Sequence, residues 1–391
     1  MITRLVEIYK NMNIYIVDIS GRVVNYDLSL YRAIKDISKN DKVTLFVADC
    51  PKMCSDINIK CLRSFVPQKL KTSEILLKKT LKAVETIINY LYVALRVLTS
   101  KPDVLHFQWL PFLEVCSIER PIIKMIRLFS PKTEVVLTIH NLYPHDYSES
   151  KKDNYKNRFV KIKSLFDLFI VHTNKSRDEV VENFGVEEEL IRVVHHGVFT
   201  PELMKYRRNI NDGRLRIISY GHQDPYKGTD LIIDAISSLS EKQKHKVHLS
   251  IEGRIQSDYY VQLKKKGEGL DITWKPYFID DDTLYQDIID SDVIVVPYRA
   301  ITQSGVLLLA LNFDKIIICS DLPAFQETLV DYPKELFFES DNSDSLRNVI
   351  EKLLNESIDR NKAIGTIKKL RFEYSWEEAA KKTIKAYSDI K

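Results

Sequence analysis

Glycine is scarce in the first half of this 391-residue chain: of eleven, only Gly21 falls between Met1 and Phe184. A dinucleotide fingerprint needs three closely spaced glycines, so GxGxxG is excluded there, and no Walker A loop occurs anywhere. Cysteine is sparse too. There are five, with no CxxC pair, which points to a reducing compartment. Cys50, Cys54 and Cys61 lie near one another, but no His stands at ligand spacing, so no metal site is expected. No apolar run reaches the length of an uncharged membrane span, and the N-terminus lacks the basic, apolar and small-residue order of a signal peptide. The expected location is cytoplasmic.

What is present is a globular composition, 45% hydrophobic and 29% charged, in a chain long enough for two domains. The net charge of +4 hides an asymmetry: residues 60–132 hold 13 Lys and Arg against 5 Asp and Glu. That stretch alone carries +8 and suggests an anionic partner. No nucleic-acid recognition motif accompanies it, so nucleic acid is not expected and a membrane surface fits better. Lys69 to Thr99 reads as a long helix or helix pair with Leu70, Leu76, Leu77, Leu81, Val84, Ile87, Ile88, Leu91 and Leu95 as its apolar positions. Lys69, Lys71, Lys78, Lys79 and Lys82 crowd its start, and Pro121–Phe129 is a second basic amphipathic stretch. Such helices suit the inner face of an anionic membrane; the alternative is core packing beneath a solvated lysine face.

Apolar, β-branched runs recur along the chain: Ile14–Ile19, Val43–Ala48, Val104–Trp109, Val135–His140, Leu168–His172 and Ile191–Val194. After a polar break at Arg207–Arg214 come Ile217–Gly221, Val247–Glu252, Ile272–Lys275, Val293–Pro297, Ile316–Ser320 and Leu336–Phe338. Helical stretches such as Asp230–Leu239 and Ser345–Leu354 separate most of them. Near-continuous apolar strands alternating with helices predict parallel sheets covered on both faces, here as two doubly wound, Rossmann-like α/β domains facing a cleft. Ligands in such sheets bind beyond the carboxyl ends of the strands. In the second half Gly221, Gly253 and Gly305 follow strand ends and Gly228 opens a helix, so that half is the nucleotide-binding candidate.

Its most informative segment is Pro297–Asp321, in which a buried strand runs into Thr302-Gln303-Ser304-Gly305 and then a helix. Free N–H groups and about half a positive charge at a helix start favour an anion, and Gly305 allows close approach. A Ser-capped core helix is the plain alternative. Upstream, Lys227-Gly228 at another helix start can clamp a diphosphate against that turn.

The order YGHQDPYKGTDLIIDA, IEGR, VVPYRAITQSGVLLLA and SDLPAFQE resembles the donor half of family-4 retaining glycosyltransferases of GT-B fold. RVVHHGV resembles the segment closing their first domain, and Tyr374-Ser-Trp-Glu-Glu-Ala-Ala resembles the start of their last helix, which crosses back to it. The likeness covers most of residues 168–390; the N-terminal third matches in layout and in VLHFQW and LTIH. It implies an acceptor-binding domain at 1–200, a nucleotide-sugar donor domain at 201–374 and a returning helix at 375–391.

In that family the donor diphosphate rests on a Lys, a partner Arg and a helix start. The resemblance therefore makes Lys227 the Lys and Thr302, Gln303, Ser304 and Gly305 the cradle, with Gly221, Phe278 and Val306 completing the donor set. The family's partner Arg falls on Asp224, which repels phosphate; Arg254 and Arg299 are the candidate substitutes. Its paired glutamates fall on Ile301 and Leu309, as in a subset carrying a TQSG-type turn. Glu327 is the candidate ribose ligand, or else a helix-start acid. His140 is placed near the transferred sugar. Asn141, His145, His106 and Gln108 are placed on the acceptor side, each against a structural alternative, as is His172; of His195 and His196, one is expected to face the cleft.

The implied reaction is retaining, with a donor phosphate oxygen accepting the acceptor's proton, and needs neither metal nor cofactor. Asp280-Asp281-Asp282 reads as a helix cap. The expected function is transfer of a sugar from a nucleotide-diphospho-sugar to a glycan or lipid-linked acceptor in bacterial surface polysaccharide or glycolipid synthesis. The rivals are a non-catalytic nucleotide-sugar-binding scaffold and a nucleotide-sugar epimerase of the same fold.

Overall fold

The structure, a computed structural model, describes residues 11–48, 56–62, 75–143, 148–198, 201–301 and 304–390. The chain forms two compact units: Met1–Gly197 with Trp376–Lys391, and Val198–Ser375. The first holds strands β1 (Asn13–Asp18), β2 (Lys42–Val47), β3 (Ile59–Cys61), β4 (Val104–Trp109), β5 (Glu134–Thr138), β6 (Leu168–Val171) and β7 (Ile191–Val193). They pair in the order β3-β2-β1-β4-β5-β6-β7, parallel throughout. The second holds β8 (Leu215–Tyr220), β9 (Val247–Glu252), β10 (Ile272–Lys275), β11 (Val293–Val296), β12 (Ile316–Ser320) and β13 (Phe337–Phe338). Their order is β10-β9-β8-β11-β12-β13, again all parallel. Strand order reverses beside β1 and beside β8, which puts each unit's natural ligand site at the ends of β1 and β4 or of β8 and β11.

The apolar runs are continuous because both faces of each sheet are covered. On β1, Ile14 and Ile16 face one core, with the helices Val24–Ile37 and Trp376–Asp389, while Tyr15 and Val17 face another, with Tyr90, Val93, Ile123 and Ile126. The edge strand β3 was not expected, since three residues, Ile-Lys-Cys, carry no apolar run.

The helix Ile75–Ser100 corrects the expected apolar face. It buries Tyr90, Val93, Ala94 and Val97 together with the polar Glu85, Thr86 and Asn89, and exposes Val84, Leu91 and Leu95. Lys82 meets the buried Glu85 at 2.5 Å rather than standing free. Lys69, Leu70, Lys71 and the side chains of Leu76, Leu77 and Lys78 lie outside the described residues. Among the described residues no helix is long and apolar enough to cross a membrane.

The C-terminal helix is fastened deep into the first unit. Tyr387 Oη lies 2.6 Å from His106 Nδ1, and His106 Nε2 lies 2.7 Å from Thr138 Oγ1. At the head of that helix, the Trp376 ring occupies the space a Cβ on Gly197 would need.

Asp18 at the end of β1 accepts backbone N–H bonds from Ser20, Gly21 and Val23. Asp27 is buried beside it, with no donor to either oxygen. Burial first, and the Asp18 charge second, push Asp27 well above the ordinary 3.8, so it stays protonated and able to donate to Asp18. A raised folded-state pKa means stability that is full below about pH 4 and drains as pH rises. Thermal unfolding should show the wild-type melting temperature falling between pH 5 and pH 8 more steeply than that of Asp27→Asn; parallel profiles would refute the assignment.

Candidate functional site

In the second unit three glycines bring the strand ends together. Gly221 follows β8 with φ 95°, Gly253 follows β9 with φ 120°, and Gly228 has φ 67°. A Cβ on Gly253 would run into the Gly221 carbonyl, and one on Gly228 into the Pro297 carbonyl just past β11. Only glycine tolerates both the positive φ and the close approach. A Cβ on Gly221 would lie 3.0 Å from Val306 Cγ2 and 3.7 Å from Lys227 Nζ, so Gly221, Lys227 and Val306 converge on one spot at the switch point.

Lys227 is half-buried, its ammonium 5.3 Å from the Tyr298 ring centre and 5.9 Å from that of Tyr226. Among the described residues no carboxylate forms an ion pair with it, and burial lowers its pKa against the opposing pull of Asp224. Asp224 itself is engaged by His222, Nε2 to Oδ1 3.1 Å, a pair not foreseen from the sequence.

Of the two candidate replacement arginines, Arg299 is committed elsewhere. It grips Asp230 through two bonds of 2.8 and 3.0 Å, Asp341 at 2.5 Å and the Pro225 carbonyl at 2.5 Å. It therefore staples the loop carrying Lys227 to the helix Thr229–Ser237, with four of its five N–H donors already engaged. Arg254 has no such partners among the described residues, and its guanidinium lies 5.7 Å over the Phe278 ring. Together with Gly221, His222, Glu252, Gly253, Ile279 and neighbours, these two line a cavity of about 440 Å³.

Ser304 Oγ accepts the Leu307 N–H at 3.1 Å, so its side chain caps the short helix Gly305–Ala310. The space where a Cβ on Gly305 would point is open. Thr302 and Gln303 lie outside the described residues. Glu327 is near the end, not the start, of the helix Pro323–Thr328, close enough to Tyr374 to help raise that phenol. Asp280 caps the helix Asp281–Asp290 through Thr283, and Asp282 meets Lys205.

The residue that the sequence reading missed is Glu252, at the end of β9. Its side chain is 1% exposed, with Oε1 accepting from Ser250 Oγ at 2.7 Å and lying 3.3 Å from Lys275 Nζ. Oε2 has no hydrogen-bond partner. Burial raises Glu252 to about 7, Ser250 opposing and Asp287 adding to the rise. An acid closing a strand buried on both faces was the available signal.

In the first unit the expected histidines separate. His106 and Gln108 are fully buried, His106 bonded at both nitrogens and lowered to about 3 by burial and then by His172. They are core groups, and the acceptor-side placement expected for them gives way to this burial. His140 lines a small cavity with Trp109, Glu114, Asn141 and Tyr155. Its Nδ1 meets His172 Nε2 at 3.1 Å, and His172 Nδ1 meets the Val194 carbonyl at 2.9 Å. A carbonyl only accepts, so His172 carries its proton on Nδ1, and burial keeps it neutral by lowering its pKa to about 4. His140 must then donate from Nδ1, leaving Nε2, which has no partner, as a bare acceptor. His195 Nδ1 lies 3.1 Å from the His172 carbonyl oxygen, and His196 packs on Tyr26 and Trp376. His145 lies outside the described residues.

Gly228→Ala should destabilise the protein by about 2 kcal/mol or more, since strain at positive φ and a backbone collision add. Chemical denaturation checks this, and a loss under about 0.5 kcal/mol, the level of an ordinary surface change, would contradict it.

Residues 42–200 match the family model described as Glycosyltransferase Family 4, and residues 202–370 that described as Glycosyl transferases group 1. Two GDP-mannose:glycolipid 4-beta-D-mannosyltransferase sequences from Xanthomonas campestris pv. campestris are each 22% identical, over 242 and 236 residues and 56% of this chain. The match spans 62% of the length of these curated relatives. A glycosyltransferase structure from Rickettsia africae superposes with TM-score 0.66 at 16% identity, over 98% of this chain and 99% of that one. Anabaena HepE in complex with UDP superposes with TM-score 0.63 at 13% identity, over 97% and 100%. These likenesses give the two units the GT-B fold.

Proposed function

We propose that this GT-B chain, of the family 4/group 1 glycosyltransferase type, transfers a sugar from a nucleotide-diphospho-sugar to a glycan or lipid-linked acceptor. The observation that carries the reading is the meeting of Lys227, Gly221 and Val306 at the switch point of the second unit, next to a cavity walled by Arg254 and Phe278. The UDP of Anabaena HepE and the glycolipid acceptor named for the Xanthomonas enzymes support the two substrate classes.

The leaving diphosphate gains negative charge as the glycosidic bond breaks. A half-buried ammonium without a competing carboxylate partner, fixed in place before the reaction, stabilises that charge more than a solvated one does. Arg254, which lines the neighbouring cavity, supplies the second cation in place of the partner Arg that Asp224 replaces. The first unit holds the acceptor, and the bare Nε2 of neutral His140 accepts a hydrogen bond from a sugar or acceptor hydroxyl. Transfer proceeds with retention, a donor phosphate oxygen taking the acceptor's proton. The β-linkage named for the Xanthomonas enzymes makes the stereochemistry worth measuring directly.

Nucleotide release from a panel of nucleotide sugars, with the product's anomeric configuration read by proton NMR, tests this. Lys227→Ala should lower the transfer rate by about 100-fold, the scale of one lost transition-state donor. An unaffected rate would overturn the donor site. A product of inverted configuration would overturn retention alone.

The enzyme works at the inner face of the membrane, in surface polysaccharide or glycolipid synthesis. Val84, Leu91 and Leu95 are 46%, 55% and 59% exposed along one side of the helix Ile75–Ser100, within the basic stretch. Such a face suits anionic lipid. Co-sedimentation should show binding to phosphatidylglycerol vesicles several-fold above phosphatidylcholine, lost in Leu91→Asp/Leu95→Asp. Equal binding to both lipids would refute it.

A further inference from the structure

We propose that Glu252 reads the base of the donor nucleotide and selects guanine. This rests on the reading that the site beside Lys227 takes a nucleoside diphosphate. Gly221 joins the two regions: it lines the cavity that Glu252 also lines, and its missing side chain leaves the space beside Lys227 Nζ. A ligand with its diphosphate at Lys227 therefore reaches the cavity with its base. Phe278, 70% exposed, and the Arg254 guanidinium over it supply a flat aromatic and cationic surface for a heterocycle.

Within that cavity the carboxylate is incomplete. Oε1 is occupied by Ser250 and faces Lys275, while Oε2 is buried and unpartnered. Lys275 does not complete it, because its ammonium is shared with Asp287 on the helix Asp281–Asp290. A buried acceptor left unmade is costly, so the ligand that fits best brings a donor to it.

The bases differ in what they can bring. Guanine offers N1–H and the N2 amino group side by side, two donors with no lone pair between them. Uracil offers one N–H flanked by two carbonyl oxygens, which a carboxylate repels. Adenine and cytosine offer an amino group beside a bare ring nitrogen, whose lone pair the carboxylate repels. Only guanine brings Oε2 two adjacent donors with no lone pair beside them, while Oε1 keeps Ser250. A site built to bond a donor rejects the analogue that lacks it by far more than shape alone achieves.

Isothermal titration of the full chain with GDP, IDP, UDP and ADP tests this. IDP is GDP without the N2 amino group. GDP should bind at least tenfold more tightly than each of the other three. Glu252→Gln should bring GDP within threefold of IDP while leaving UDP within threefold of its wild-type affinity. Wild-type affinities equal for GDP and UDP, or a GDP-over-IDP preference that survives Glu252→Gln, would overturn the proposal. If Glu252→Gln does not fold, the wild-type ranking of the four nucleotides decides alone. Lys227→Ala separates the two levels. Weakening of all four nucleotides with no base preference refutes only the guanine assignment. No binding of any nucleotide, or binding indifferent to Lys227→Ala, refutes the donor site as well.

Discussion

Two backbone collisions that only glycine avoids hold the second unit's site together. The Gly221 carbonyl fills the space a side chain on Gly253 would take, and the Pro297 carbonyl does the same at Gly228. The ends of β8, β9 and β11 therefore approach more closely than any side-chain-bearing residue would permit. Lys227 precedes one of these glycines, and its ammonium lies next to another. The Arg299 staple to Asp230, Asp341 and Pro225 keeps that lysine's loop from drifting. Charge at the site thus depends on backbone geometry first and on ion pairs second.

The two units handle their titratable groups in opposite ways. In the first, burial keeps His106, His140 and His172 neutral, and a relay of ring nitrogens ends on an imidazole acceptor. In the second, Lys227 and Arg254 form no ion pair among the described residues, while Asp224 meets His222 and Asp230 meets Arg299. Neutral hydrogen-bonding groups suit hydroxyl recognition, and uncompensated cations suit phosphate.

Most of the architecture was legible in the sequence because strands buried on both faces leave near-continuous apolar runs. Val104–Trp109, Val247–Glu252, Ile272–Lys275 and Ile316–Ser320 coincide with the expected spans. The misses have physical causes. The edge strand β3 is too short to show a period. The helix Ile75–Ser100 buries Glu85, Thr86 and Asn89, so its apolar stripe pointed the wrong way. His106 lies within β4 and His140 just past β5; His106 is bonded to Tyr387 and Thr138 in the core, whereas His140 lines a cavity. Gly221, Gly228 and Lys227 were readable from glycine placement. The engagement of Arg299 was not, since its partners lie 69 and 42 residues away.

The fastening of Tyr387 to His106 has a consequence for how the chain is made. Val198–Ser375 is contiguous, so the second unit can fold as soon as it leaves the ribosome. The first unit cannot close its core over Ile14, Ile16 and His106 until the helix Trp376–Asp389 has emerged behind the whole of the second. The part synthesised first is therefore the part completed last, and throughout that interval its uncovered sheet face is the nascent chain's point of exposure to aggregation.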